Sequence, residues 1–334
     1  MDVSVIIINF NTFELTCNCI SSVYENTRGI TFEIILVDNF SKELPAEKFK
    51  ERFPEITLIA LKENAGFGKA NNLGMLVAKG KYFLLLNSDT IVLKDSIPGC
   101  FNFMESNEAK SRGVGLLGCK LLNPDLSHQP SVFPYLENNL WIYFITTNPI
   151  AFKILGLLKK DRHANFNASN IQEVGDVSGA YMFIRKEVAK ASGYFDTDFF
   201  MYCEDTEWCR ERISKIARIF FYPAAAIIHL GGQSAPQDLM YIQSKLSLSL
   251  LWYKKGWLNY AGYILLSYLN VATCMLLYPF IKTRAKDSTR QYISAYYHIS
   301  RYLFNEVPKY SRKPNSRKKK LIFKKARTVL GYFE

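Results

Sequence analysis

The sequence predicts an α/β fold, an open and mostly parallel sheet with helices on both faces, followed by a C-terminal helical extension. Two observations carry that prediction. The first third of the chain alternates short apolar runs with segments of helical spacing, the pattern of repeated βα units. From Leu239 onward the pattern is helical throughout, and residues 256–281 contain no charge.

The elements follow in order. VSVIII (Val3–Ile8) is a continuous apolar run, as expected of a strand buried on both faces. The next segment places Leu15, Cys19, Ile20 and Val23 at helical spacing, with Asn11 and Glu14 as a capping box. A strand at Phe32–Asp38, a short helix near Pro45–Phe53, a strand at Ile56–Leu61, a glycine-opened helix at Gly66–Lys79 and a strand at Tyr82–Leu86 complete the alternating set. Residues 120–175, with Pro124, Pro130, Pro134 and Pro149, read as a loop-rich insertion with helix around Asn138–Leu158. A strand at Ala180–Arg185, a helix at Glu204–Lys215 and strands at Ile219–Tyr222 and Ala226–His229 close the domain. The expected boundaries are a domain over 1–238, divided near residue 118, and an extension over 239–334.

In open sheets of this kind ligands sit beyond the carboxyl ends of the strands. Those ends are Asn9-Phe10-Asn11, Asp38-Asn39, Asn64-Ala65-Gly66 and Asn87-Ser88-Asp89, and four polar ends on one edge predict a site. Taken singly, each group admits two readings. Asp38 either closes an Asx-turn or accepts the N3–H of a uracil or thymine ring. ENAGFGKANN (Glu63–Asn72) is either a structural turn or a phosphate loop, and it matches neither a dinucleotide fingerprint nor a P-loop. Asp89 with Asn87 offers hard oxygen ligands for Mg2+ or Mn2+, and His229, at the end of a later strand, is either structural or a further ligand. Glu204 and Asp205 open a helix, where acids are favoured by the dipole, beside aromatics that can raise one pKa and make a general base.

Charge is unevenly placed. Of the net +12, residues 282–334 supply all, with 15 Lys and Arg against three acids. Seven cysteines without regular spacing argue against a disulfide framework, and the short, acidic start lacks a signal-peptide pattern, so the domain is expected in the cytoplasm. The segment SRKPNSRKKK carries no aromatic among its basic residues, which argues against nucleic acid as the partner.

Taken together, VSVIIINFNT, IILVDNFS, ENAGFGKANN, YFLLLNSDT, VSGAYMFIRKE, GYFDTDFFMYCEDTEWCRE and IIHLGGQS resemble the family-2 glycosyltransferases of GT-A fold, in particular the rhamnosyltransferase-like subgroup of bacterial surface polysaccharide synthesis. The resemblance covers about residues 1–240. It implies that Asn9, Phe10, Asn11, Asp38, Asn64, Gly66, Asn71, Asn87 and Asp89 bind the donor, and that Asp89 and His229 hold Mn2+ or Mg2+. It also implies that Asp205, with Glu204, is the catalytic base, and that Gly179, Phe200 and Trp208 face the acceptor. The implied partners are a dTDP- or UDP-linked sugar, dTDP-rhamnose first, and a saccharide or polyprenyl-linked acceptor. Three departures stand out: Asn87-Ser88-Asp89 replaces the usual Asp-x-Asp, Glu207-Trp208 replaces Asp-Leu, and residues 120–175 match poorly. A catalytically inactive donor-binding subunit is the alternative reading.

Basic residues flank the uncharged segment 256–281 at both ends, and Asn259, Tyr263, Ser267, Asn270 and Thr273 form a polar stripe along it. A single span would place the basic tail outside, against the positive-inside rule. The expectation is a helix or re-entrant pair lying on the inner face of the cell membrane, with the tail on anionic headgroups, and the alternative is a helix packed on the domain with a solvated tail.

Overall fold

The computed structural model describes residues 1–133, 140, 144, 148, 167–231 and 237–277. The expected helix around Asn138–Leu158 and the basic tail 282–334 lie outside the described residues, apart from the isolated positions 140, 144 and 148. The chain forms two compact units: one from 1–133, 167–200 and 204–234, the other from 134–166, 201–203 and 235–334.

The first unit is built on one mixed sheet. Its strands are β1 (Val3–Asn9), β2 (Phe32–Asp38), β3 (Thr57–Ala60), β4 (Tyr82–Asn87), β5 (Thr90–Val92), β6 (Val114–Leu122), β11 (Tyr181–Arg185) and β12 (Arg218–His229), in the order β3-β2-β1-β4-β11-β6-β12-β5. The short strands β7 (His128–Gln129) and β9 (Gln172–Glu173) pair at its margins, and β8 (Val132–Phe133) pairs with β10 (Asp176–Val177) apart from it. β1 to β4 are parallel, whereas β11 runs antiparallel to both β4 and β6. The chain reverses direction across the sheet between β1 and β4, so the crevice beyond their carboxyl ends is the expected ligand position.

Helices α1 (Phe13–Asn26), α2 (Glu47–Arg52), α3 (Phe67–Val77), α4 (Ser96–Glu105) and α5 (Asn107–Ser111) flank the sheet. α1 buries Cys19, Ile20 and Val23 of the predicted stripe and Cys17 beside them, while Leu15 is only half-buried. The capping box does not form. Asn11 has φ +53, its Oδ1 accepts the Lys42 N–H, and the first α1 N–H donates to Glu43 Oε2 at 3.0 Å.

Two further expectations change. The strands predicted at 219–222 and 226–229 are one strand, β12, whose register on β6 shifts between Tyr222 and Ala226, where Pro223 has no N–H to give. The helix predicted over Glu204–Lys215 is α-helical only to Glu207, then π-helical over Trp208–Arg212 and 3-10 over Ile213–Lys215. In a π-turn residues five apart line up, and Glu207 meets Arg212 at 2.6 Å in that register.

In the second unit, the helices Gln237–Lys254 and Trp257–Leu277 pack together through Trp252 on Tyr263 and Tyr253 on Tyr260. Tyr263, Ser267, Asn270 and Thr273 of the polar stripe are buried, while Asn259 is exposed.

Candidate active site

The end of β1 is a closed polar hub. Asn9, 1% exposed, donates from Nδ2 to Asp38 Oδ1 at 2.7 Å and Ser41 Oγ at 2.9 Å, and its Oδ1 accepts from Thr12 and Thr16. All four of its hydrogen-bonding valences are used inside the protein. The Asn9 side chain thus holds Asp38 in place. Asp38 also accepts the Ser41 N–H at 3.0 Å, so its carboxylate is fixed in place with lone pairs to spare. From the hub, Thr12 Oγ1 lies 3.2 Å from Ser88 Oγ, which carries the network from β1 to the end of β4.

The phosphate-loop reading changes at the third corner. The Gly66 N–H is taken by Asn64 Oδ1 at 3.0 Å, and the Phe67 N–H by the Phe200 carbonyl at 2.7 Å. Asn39 completes the corner, donating to Asn64 Oδ1 and accepting the Ala65 N–H. Gly66 has φ +83 and ψ 169, a region that only glycine enters readily, and a Cβ there would stand 2.3 Å from the Phe200 oxygen. Glycine is required by this close approach. Asn71 faces inward, buried, and its Nδ2 donates to the Phe67 carbonyl within α3.

At the metal corner the register assembles the pair. β12 runs antiparallel to β5 with His229 opposite Thr90, which sets the imidazole beside Asp89. His229 Nε2 lies 3.4 Å from Asp89 Oδ1 and 3.5 Å from Asn87 Nδ2. The other ring nitrogen, Nδ1, is 2.7 Å from Gln129 Oε1. Gln129 Nε2 donates to the His229 carbonyl and to Asn123 Oδ1, which fixes the amide orientation, so Nδ1 must carry a proton. Nε2 is then the ring atom turned toward the Asp89 carboxylate, and an imidazole whose far N–H is held by an oxygen is the usual form of a metal-ligating histidine. Among the described residues no group of three or more His, Cys, Asp and Glu side chains gathers around one point. The pair thus fits a divalent ion that takes its remaining ligands from a diphosphate.

The acid pair joins this corner through the backbone. Asp205 Oδ2 accepts the Gly179 N–H at 2.9 Å and Oδ1 the Thr206 N–H at 2.7 Å, while the next carbonyl, Ala180, accepts the Asn87 N–H at 3.1 Å. Burial pushes the Asp205 carboxyl above its ordinary 3.8, against the two N–H donors that pull it down. Glu204 is buried against Gly68. Immediately before the pair, Tyr202 and Cys203 have φ +70 and +63, strained values for side chains with a Cβ.

Two expected acceptor residues are placed otherwise. Trp208 is wholly enclosed, its indole N–H donating to Ser192 Oγ at 2.9 Å and its ring 4.4 Å from Phe195. Phe200 is buried against Gly66. Gly179 does stand at the site, since a Cβ there would meet Asp205 Oδ2 at 3.3 Å. Phe10 is half-buried and Asn11 exposed. The sequence placed Asn39 at a polar strand end without giving it a role, and it missed Ser41 and Gln129. Ser41 and Asn39 had a signal in their closeness to Asp38, whereas Gln129 lies 100 residues from its partner and had none.

The profile of "Glycosyl transferase family 2" matches residues 4–191. A poly(ribitol-phosphate) β-glucosyltransferase of Bacillus spizizenii is 26% identical over a stretch covering 38% of this chain and 22% of the relative, so this chain accounts for about a fifth of that protein. An N-acetylglucosaminyl-diphospho-decaprenol L-rhamnosyltransferase of Mycobacterium tuberculosis is 24% identical over 61% of this chain and 68% of the relative. In fold, the chain is similar to a mannosyltransferase of Pyrobaculum calidifontis solved with GDP-Man and Mn2+, with TM-score 0.53 at 13% identity over 99% of this chain and 84% of the other.

Proposed function

The chain belongs to glycosyl transferase family 2, and from that premise we propose that it transfers one sugar, with inversion, from a nucleoside-diphosphate sugar to a saccharide of a surface glycan. The observation that carries the reading is Asp205, half-buried, with a raised pKa that suits a base and a Gly179–Ala180 tie that holds it next to the strand end bearing Asp89. Asp205 takes the proton of the acceptor hydroxyl as its oxygen attacks the anomeric carbon. One base opposite one leaving group gives a single displacement, hence inversion.

Asp38 accepts the N3–H of a uracil or thymine base, which favours dTDP- or UDP-linked donors; the place of dTDP-rhamnose ahead of UDP-hexoses rests on the similarity to a rhamnosyltransferase alone. Asp89 and His229 would hold Mn2+ or Mg2+, which supplies positive charge to the departing diphosphate. With the Gly66 and Phe67 N–H groups engaged inside the protein, the charge at the diphosphate falls to this pair. The rhamnosyltransferase relative is named for a decaprenol-linked acceptor. An acceptor on a lipid carrier suits this chain as well, with the enzyme peripheral on the inner face of the cell membrane.

A thermal-shift screen of nucleotide sugars with Mn2+ identifies the donor, because a specific ligand stabilises by mass action. Asp205→Asn should then lose turnover by about 10²-fold or more with the donor shift retained. Donor stabilisation without any transfer by the wild type would instead make the chain an inactive donor-binding subunit.

A further inference from the structure

Helix Trp257–Leu277 is built inside out. Leu258, Leu265, Leu269 and Leu276 recur along one side of it at spacings of four and seven, and all four are exposed, Leu276 by 75%. Trp257 and Met275 are exposed as well. The opposite side, turned into the protein, carries Tyr263, Ser267, Asn270 and Thr273, none more than 9% exposed. Inside, Thr273 Oγ1 accepts from Asn148 Nδ2 at 3.1 Å. A helix at a water surface has the reverse arrangement, polar outward and apolar inward. Polar side chains turned into the protein and an apolar face outward is the arrangement a lipid environment selects.

The charges agree. No Asp or Glu occurs from residue 239 to 286, while Lys245, Lys254 and Lys255 precede the helix and Lys282, Arg284 and Lys286 follow it. Cations at both ends resist placing either end across the membrane. The neighbouring helix, Gln237–Lys254, carries Gln243 and Lys245 and is not apolar enough to be its partner in a span.

We infer that the outward face of helix Trp257–Leu277 lies side-on in the acyl layer of an anionic leaflet, with both ends at the headgroups. This deepens the membrane part of the proposed function and rests on it only for the lipid-borne acceptor. The expected polar stripe thereby gains a direction, since all of it but Asn259 faces the protein. The leucine face supplies an attachment that salt does not screen, distinct from the electrostatic attachment of the basic tail.

The test is flotation of the full chain with vesicles of phosphatidylcholine and phosphatidylglycerol at low salt and at about 0.5 M salt, where the Debye length is only a few Å. The wild type should float under both conditions. Leu265→Gln/Leu269→Gln/Leu276→Gln, which keeps good helix formers at exposed positions, should lose high-salt flotation at least tenfold. Its melting temperature and its shift with donor nucleotide should stay as in the wild type. A triple variant that floats like the wild type in high salt overturns the inference. So does a wild type that stays in the buffer and weighs as a dimer which the triple variant dissolves, because a second copy then covers the face. If the triple variant does not fold, acyl-brominated lipid decides on the wild type: it should quench a part of the tryptophan fluorescence that Trp257→Phe lacks, and no quenching refutes the placement. Loss of donor stabilisation in the wild type would count against the transferase reading and leave the flotation result standing.

Discussion

Gln129→Met is the sharpest test of the metal corner. The thioether keeps the length of the side chain while removing the oxygen that holds the His229 Nδ1 proton at 2.7 Å. It also removes the donor to Asn123 Oδ1 and the His229 carbonyl, both near enough to the surface for water to replace it. The ring is then free to turn or to move its proton to Nε2, the atom facing Asp89. Loss of such an outer partner typically costs 10–100-fold in metal affinity, about 1.4–2.7 kcal/mol. Equilibrium dialysis against Mn2+ with saturating UDP or dTDP measures this without turnover. Gln129→Glu should bind Mn2+ at least as well as Gln129→Met and recover most of the loss, because the carboxylate accepts the Nδ1 proton. The nitrogen chemical shifts of His229 should show Nδ1 protonated in the wild type and a mixed tautomer in Gln129→Met. If His229→Ala weakens Mn2+ binding while Gln129→Met does not, the orienting role is refuted. If neither changes it, the metal is held elsewhere.

Four more outcomes follow from the geometry. Because burial raises the Asp205 pKa above 3.8, the acid limb of the transfer rate should sit above the ordinary carboxylate range and be absent from any residual rate of Asp205→Asn. The same shift means that Asp205 favours the fold below pH 3.8 and loses that contribution as pH rises through its folded pKa, so urea titrations should show the wild type losing stability relative to Asp205→Asn over that window. Gly66→Ala should cost about 2–5 kcal/mol in chemical denaturation, combining backbone strain with a clash on the Phe200 carbonyl, whereas Gly113→Ala, with φ +66 and open space around it, should cost about 1 kcal/mol. Arg210→Met should destabilise by about 3–5 kcal/mol, since it strands the Asp176 charge now paired at 2.8 Å and buried, and adding Asp176→Asn should recover much of that.

What the sequence disclosed was local. Uninterrupted apolar runs gave β1, β2 and β4, and their polar last residues gave the edge on which Asp38 and Asp89 stand. β6 escaped notice although it lies at the centre of the larger half of the sheet, because VGLLGCKLL is interrupted by glycines and a lysine and sits behind two short helices. Gly115 and Gly118 are small there because Ala217 and Val177 press on the strand, a reason visible only in three dimensions. Trp208 and Phe200 read as acceptor residues because the family resemblance implies it, yet both are packed in the core, Trp208 against Phe195 and Phe200 against Gly66. The polar stripe of helix Trp257–Leu277 was legible as a period but not as a direction, since periodicity fixes which residues share a face and not what that face meets.

The register that places His229 opposite Thr90 also sets an order of events on the ribosome. Asn87 and His229 are 142 residues apart, and the imidazole can reach Asp89 only once β12 has emerged and paired with β6 on one side and β5 on the other. At about 5–20 residues per second that interval is roughly 7–28 s. Through it, β1 to β4 can already be paired and the Asp38 hub closed, while the carboxylate of Asp89 has no imidazole beside it. A nascent chain arrested before residue 218 should therefore already possess the Asp38 hub and still lack the His229–Asp89 pair, so that the proposed nucleobase contact is born earlier in synthesis than the proposed cation site.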